Sequence, residues 1–153
     1  MKKITLFLLF MISAISSAQL KRIEKAPNEN DLIGKVSVAG NFAMKIEKLG
    51  DTYYFTYRDV NFKHIYETKE FKLQDIDNAF ESLYAILVDG FESMPKESIE
   101  LEFPDGMLSL QYTKVFGISS VCFYHTDKNG ITGYTMEINR KQIDKLFGKK
   151  KAE

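Results

Sequence analysis

From Ile99 to Ile138 the chain alternates apolar and polar residues, and three turn signals interrupt the alternation. Side chains on a strand point to opposite faces in turn, so this pattern demands half-buried sheet. Ile99, Leu101 and Phe103 enclose Glu100 and Glu102, while Leu108, Leu110 and Tyr112 alternate with Ser109, Gln111 and Thr113. Ser119 to Thr126 follows, and Thr132, Tyr134, Met136 and Ile138 close the series. At Pro104-Asp105-Gly106 the proline presets one dihedral and the glycine accepts a positive φ. Gly117 marks a second turn, and Asn129-Gly130 reads as a type I′ hairpin turn. Connections this short join antiparallel neighbours, which predicts a four-strand meander.

The first half carries a similar signature. Val36 and Val38, then Phe42, Met44 and Ile46, alternate with small or charged residues, and the shift of phase at Gly40-Asn41 predicts a bulge or a break between strands. Leu49-Gly50-Asp51 is a turn, Thr52 to Arg58 a strongly aromatic strand, Asp59-Val60-Asn61 a further turn, and Phe62 to Leu73 the return. The period then changes to that of a helix: Ile76, Ala79, Phe80, Leu83 and Leu87 share one side, with Tyr84 at its margin. Asp75 stands at the expected N-cap and Gly90 at the expected stop. A short final helix follows Asn139, where Asn139 and Gln142 form a capping-box pattern, Ile138 can staple onto Ile143, and Ile143, Leu146 and Phe147 give the buried side.

These elements predict an α+β fold: antiparallel β-meander sheets with two helices packed on one face. Ile76-Asp77-Asn78-Ala79-Phe80 echoes Ile143-Asp144-Lys145-Leu146-Phe147. A degenerate strands-then-helix duplication accounts for the echo, as does core patterning alone, and a repeat needs a sustained period. Residues 32–148 read as a single domain, between a polar amino-terminal arm over 19–31 and a basic tail over 149–153 that reads as a solvated terminus.

The amino terminus carries an address. Lys2 and Lys3 precede an apolar run from Ile4 to Ile15, Ser16-Ser17-Ala18 offers small residues at a cleavage site, and Gln19 starts a polar chain. This is the three-part pattern of a signal peptide over 1–18, too short to span a bilayer comfortably. The Lys-Lys start and Ser-x-Ala-Gln junction resemble the leaders of short exported proteins of gram-negative bacteria, which implies a periplasmic or secreted product. Gln19 rather than Cys follows the cut, so no amino-terminal lipid anchor is expected. Cys122 is the single cysteine, so no internal disulfide can form despite the oxidising destination. The 21 basic and 21 acidic residues balance, against the basic surplus of a nucleic-acid binder.

Candidate chemistry is sparse. Cys122 and His125 lie three apart on one strand, hence on opposite faces, so the cysteine reads as a packed thiol rather than half of a nucleophile–base pair. His64 and His125 alone are thin support for zinc, and Asp127-x-Asn129-Gly130 lacks the later ligands of a calcium loop. No cofactor, metal or nucleic acid is expected. Glu100 and Glu102 share a face and are the one candidate acid pair, but exposed alternation explains them better as a solvated sheet face. Tyr53, Tyr54, Phe55, Tyr57, Phe62, His64 and Tyr66 crowd one hairpin, too many for one buried face. Tyrosine favours recognition surfaces, so Tyr53, Tyr54, Tyr57, Phe62, His64 and Tyr66 are the candidate binding residues. The leading expectation is an exported, non-catalytic protein-binding module of the bacterial envelope, of the size of an immunity or inhibitor protein. Its partner would be another envelope protein or an incoming effector. A small secreted hydrolase using the acid pair and a structural envelope component are the alternatives.

Overall fold

The computed structural model describes residues 30–62 and 65–149. The expected leader, the arm up to Glu29, His64 and the tail from Lys150 onward lie outside the described residues. Two antiparallel sheets and two helices follow in the order β1 (Asp31–Val38), β2 (Asn41–Leu49), β3 (Thr52–Asp59), β4 (Glu67–Gln74), α1 (Ala79–Ser93), β5 (Ile99–Phe103), β6 (Gly106–Val115), β7 (Ile118–Asp127), β8 (Thr132–Tyr134), β9 (Ile138–Asn139) and α2 (Arg140–Leu146). The fold is α+β, as the patterning predicts. One sheet runs β1-β2-β3-β4 and the other β5-β6-β7-β8, with β9 also on β7. Strands then helix thus occurs twice in sequence. The five-residue echo does not mark equivalent places, because Ile76 lies exposed ahead of α1 while Ile143 is buried inside α2.

Both sheets turn one face inward. Val36, Met44, Ile46, Tyr53, Phe55, Tyr57, Phe71 and Leu73 supply the first sheet's share of the core, and Leu108, Leu110, Tyr112, Val121 and Phe123 the second's. The helices wedge into this core: α1 meets β4 and β7, and α2 meets β1, β2 and β9. Phe80 of α1 stacks on Tyr53 at 3.9 Å between ring centres and on Phe147 at 4.8 Å, so the two helices meet through aromatic faces. The predicted capping box is present: the Gln142 amide donates to Asn139 Oδ1 at 3.0 Å, and the Asn139 amide to Gln142 Oε1 at 2.9 Å.

Local details depart from the sequence reading where tertiary contact outweighs local signal. The first helix starts at Ala79, not beside Asp75, because Asp77 and Asn78 take left-handed backbone. Asp75 still serves the helix, accepting the Phe80 amide at 3.1 Å. Gly90 does not end the helix. It is buried within it, beneath the Tyr112 ring, whose hydroxyl donates to the Leu87 carbonyl at 3.1 Å. A Cβ there would fall 2.2 Å from Tyr112 Cζ, so the glycine permits a close approach. Asn129-Gly130 is not a type I′ turn, since Asn129 keeps a negative φ. Asp127 organises the loop instead, accepting the Asn129 and Ile131 amides at 2.8 and 2.9 Å. The last strand breaks into β8 and β9, because the Thr135 hydroxyl takes the Phe123 amide at 3.1 Å in place of a backbone rung. Lys149, expected to begin a solvated tail, pairs with Glu81 at 2.6 Å.

The two sheets are joined by a buried carboxylate. Asp59 continues the inward phase of Tyr53, Phe55 and Tyr57 and is fully buried. Its Oδ1 accepts the Asn61 amide at 3.0 Å and, from the second sheet, the Tyr134 amide at 3.2 Å; Oδ2 faces Lys69 Nζ at 2.8 Å. The Val60 amide donates to the Tyr134 carbonyl at 3.0 Å. Gly133 is buried beside this group, where a Cβ would sit 2.7 Å from the Tyr57 hydroxyl and 2.9 Å from Asp59 Oδ2. A buried charge left without its partner costs far more than a charge that can reach water. Lys69 is partly exposed and Asp59 is not. Lys69→Met is therefore expected to cost about 3 kcal/mol or more, and Asp59→Asn distinctly less. Urea unfolding of both variants checks the order, and the reverse order contradicts this assignment of the seam.

Candidate functional site

The aromatic hairpin divides between core and surface. Tyr53 and Tyr57 point inward and are buried with Phe55, so they hold the fold together. Tyr54 lies on the outer face, half-buried, with the Lys72 ammonium 5.3 Å from its ring centre. Phe62 and Tyr66 are exposed, and the Arg58 guanidinium lies 5.2 Å from the Tyr66 ring centre. The structure therefore does not bring the set together as one surface.

Cys122 and His125 fall on opposite faces of β7, as their spacing requires. Cys122 is buried and donates to the Thr135 carbonyl at 3.2 Å, and burial raises its thiol pKa, which keeps it protonated and unreactive. His125 faces inward, with Nδ1 3.3 Å from the Tyr57 hydroxyl, and its Nε2 has no partner among the described residues. It lines a cleft of about 300 Å³ with Phe62, Glu67, Lys69, Glu70 and Asp127. Among the described residues no group of three or more His, Cys, Asp or Glu is placed to hold a metal ion. Glu100 accepts hydrogen bonds from Ser98 and Ser109 at 2.6 and 2.7 Å, and these donors lower its pKa. A proton donor near neutral pH needs the opposite shift, so Glu100 is poorly suited to acid catalysis.

The most exposed large apolar side chain among the described residues, Phe116, lies at the other end of β7. β1–β2 and β6–β7 are two-residue hairpins whose central residues all have positive φ: Ala39 at 48° with Gly40 at 81°, and Phe116 at 50° with Gly117 at 82°. Such turns favour Asn, Asp or Gly at the first position. Phe116 occupies it instead, 99% exposed, between Val115 at 53% and Ile118 at 64%. Gln142 ties the neighbouring elements together by donating from Nε2 to the Ser37 carbonyl at 3.0 Å, next to the β1–β2 tip. Both tips and the β9–α2 junction line an open cleft of about 370 Å³. Within it, Glu137 accepts hydrogen bonds from Ser120 at 2.8 Å and Thr113 at 3.3 Å. In the sequence Gly117 marks the turn, and the one further signal is an aromatic, Phe116, where such a turn favours asparagine.

His125 gives the fold a pH dependence of known sign. Burial is the main cause of its lowered pKa; Lys69 adds to the shift while Asp127 and Asp105 oppose it. The unfolded chain therefore binds the proton first, near pH 6.5. Stability is full above that pH and falls as the pH drops toward the folded-state value, by at most about 1.4 kcal/mol per pH unit for this one proton. His125→Gln keeps a polar partner for Tyr57 without the titration. Urea unfolding between pH 7 and pH 5 is expected to show a shallower loss for the variant, and equal slopes contradict the assignment.

The chain matches no protein-family model, and no curated protein or solved structure shows significant similarity to it.

Proposed function

We propose that this chain is an exported, non-catalytic protein-binding module of the bacterial envelope, and that it docks through the apolar end formed by the β1–β2 and β6–β7 tips. Phe116 carries this reading. Its ring is 99% exposed and its backbone is left-handed. Left-handed backbone costs an ordinary L-residue about 1–2 kcal/mol. A residue that weakens its own turn and presents an aromatic ring to water contributes nothing to the isolated fold. Rigid aromatic anchors that enter a partner's pocket dominate protein interfaces. Val115 and Ile118 widen the apolar contact around it. The leader pattern over 1–18 supports export. An immunity or inhibitor role, blocking an effector enzyme, is the narrower form of the proposal. Phe62, also exposed, lies with His125 and Asp127 at the opposite end of β7.

Phe116→Asn separates folding from binding. Asparagine suits the turn, so the variant is expected to be more stable by about 1 kcal/mol. It is also expected to lose the partner that immobilised wild-type chain retains from envelope extract. Unchanged retention contradicts the proposal. So does Phe116-dependent sedimentation with phospholipid vesicles in place of protein retention, because the tip would then serve a lipid surface.

A further inference from the structure

Resting on that reading, we propose that the cleft beside Phe116 receives an arginine side chain of the partner protein, with Glu137 as its anion. The cleft joins two chemistries that one ordinary side chain can satisfy together. Its walls are apolar: Val38, Val115, Phe116 and Ile118 line it. Its polar end holds Glu137 and Ser120. The Ser120 and Thr113 hydroxyls lie 3.0 Å apart, and each donates to the Glu137 carboxylate, at 2.8 and 3.3 Å, which fixes the direction it faces. Among the described residues no lysine or arginine is ion-paired with Glu137, so both its hydrogen-bond partners are neutral hydroxyls.

The lining selects the occupant. A purely apolar plug would bury the carboxylate without a counter-charge, which is costly. An anionic group would meet Glu137 directly. A long cationic side chain meets neither objection: its methylene stem lies along valine and isoleucine while its head reaches the carboxylate. Arginine fits better than lysine on two counts. Its planar guanidinium can bond a carboxylate through two parallel N–H donors, and it can lie over an aromatic face such as that of Phe116. Phe116 would then do two things in one interface, entering the partner with its exposed edge and flanking the partner's arginine in the cleft. Glu137 would set specificity, since a partner lacking the arginine leaves the carboxylate desolvated and unpaired.

The test uses the folded chain and three small probes: N-acetyl-arginine methylamide, its lysine counterpart and its norleucine counterpart. Binding is followed by amide and side-chain chemical shifts at low ionic strength, where surface charge is least screened. The arginine probe is expected to shift Glu137, Ser120, Val115 and Phe116 and to bind more tightly than the lysine probe, with norleucine weakest. Glu137→Gln is expected to weaken arginine binding about tenfold, as loss of a charge-assisted pair does. The substitution lies on the surface, and glutamine can accept from one hydroxyl through Oε1 and donate to the other through Nε2, so the fold should be retained; an unchanged amide spectrum away from the cleft verifies this. Norleucine binding as tightly as arginine, equal binding by Glu137→Gln, or shifts mapping elsewhere would each overturn the inference. If the probes fail while Phe116→Asn still abolishes partner retention, the arginine site is wrong and the docking surface stands. If the arginine probe binds as described but Phe116→Asn leaves retention intact, the docking reading fails alone.

Discussion

One carboxylate that never meets water holds the two halves of this molecule in register. Asp59 accepts from its own loop and from the Tyr134 amide of the other sheet, and it is ion-paired with the Lys69 ammonium. Burial alone would raise its pKa, yet the Lys69 ammonium and the amide donors of Asn61 and Tyr134 outweigh that and leave it below the usual value. The carboxylate therefore stays ionised, and the charge is what orients its donors. Apolar packing would join the sheets in many registers of similar energy. A buried acceptor with defined partners permits few, because any slip strands it without them. Around it, Tyr57 reaches His125 across the core, and Phe71 stacks on Phe103 at 5.8 Å between ring centres. Of the aromatics of the β3–β4 hairpin, Tyr57 and Phe71 thus reach the second sheet, while Tyr53 and Phe55 pack on Phe80 of α1.

That join has a consequence for the far end of the molecule. β7 runs from the tip beside Phe116 to Asp127 near the seam, and β6 pairs with it along its whole length. The apolar tip is therefore the end of a long, well-registered ribbon. Gln142 fixes the β1–β2 tip beside it through the same amide group that completes the α2 cap. An exposed apolar knob on a rigid support loses little conformational freedom on docking, which favours affinity at a given contact area.

Much of the fold was legible in the sequence because its signals were local. Alternation located β5, β6 and β7, and the Asn139–Gln142 pair located α2 and its cap. The failures share one cause. Gly90 looks like a helix stop until Tyr112, far along the chain, lays its ring on it. Asp59 looks like a turn residue although it keeps the inward phase of Tyr57, and only Lys69 and Tyr134 reveal why a charge belongs there. Thr135 breaks a strand that pattern alone would extend, because its hydroxyl replaces a backbone partner. Asn129-Gly130 carries the favoured hairpin pair, yet Asp127 imposes a different loop. The candidate site was the least legible part. Tyr53 and Tyr57 carry a residue type shared by cores and interfaces, and only tertiary contact, with Phe80 of α1 for Tyr53 and His125 of the second sheet for Tyr57, assigns them to the core. Phe116 stood out only against what its turn would favour.

Native-state hydrogen exchange at the Val60 and Tyr134 amides tests the seam most directly, since each donates across the junction or to Asp59. If the two sheets form one cooperative unit, both amides should exchange only through global unfolding, with the same protection free energy as the amides of Phe55 and Phe123. Protection of Val60 and Tyr134 well below that of the strand interiors would mean that the halves part before they unfold, and would contradict the account.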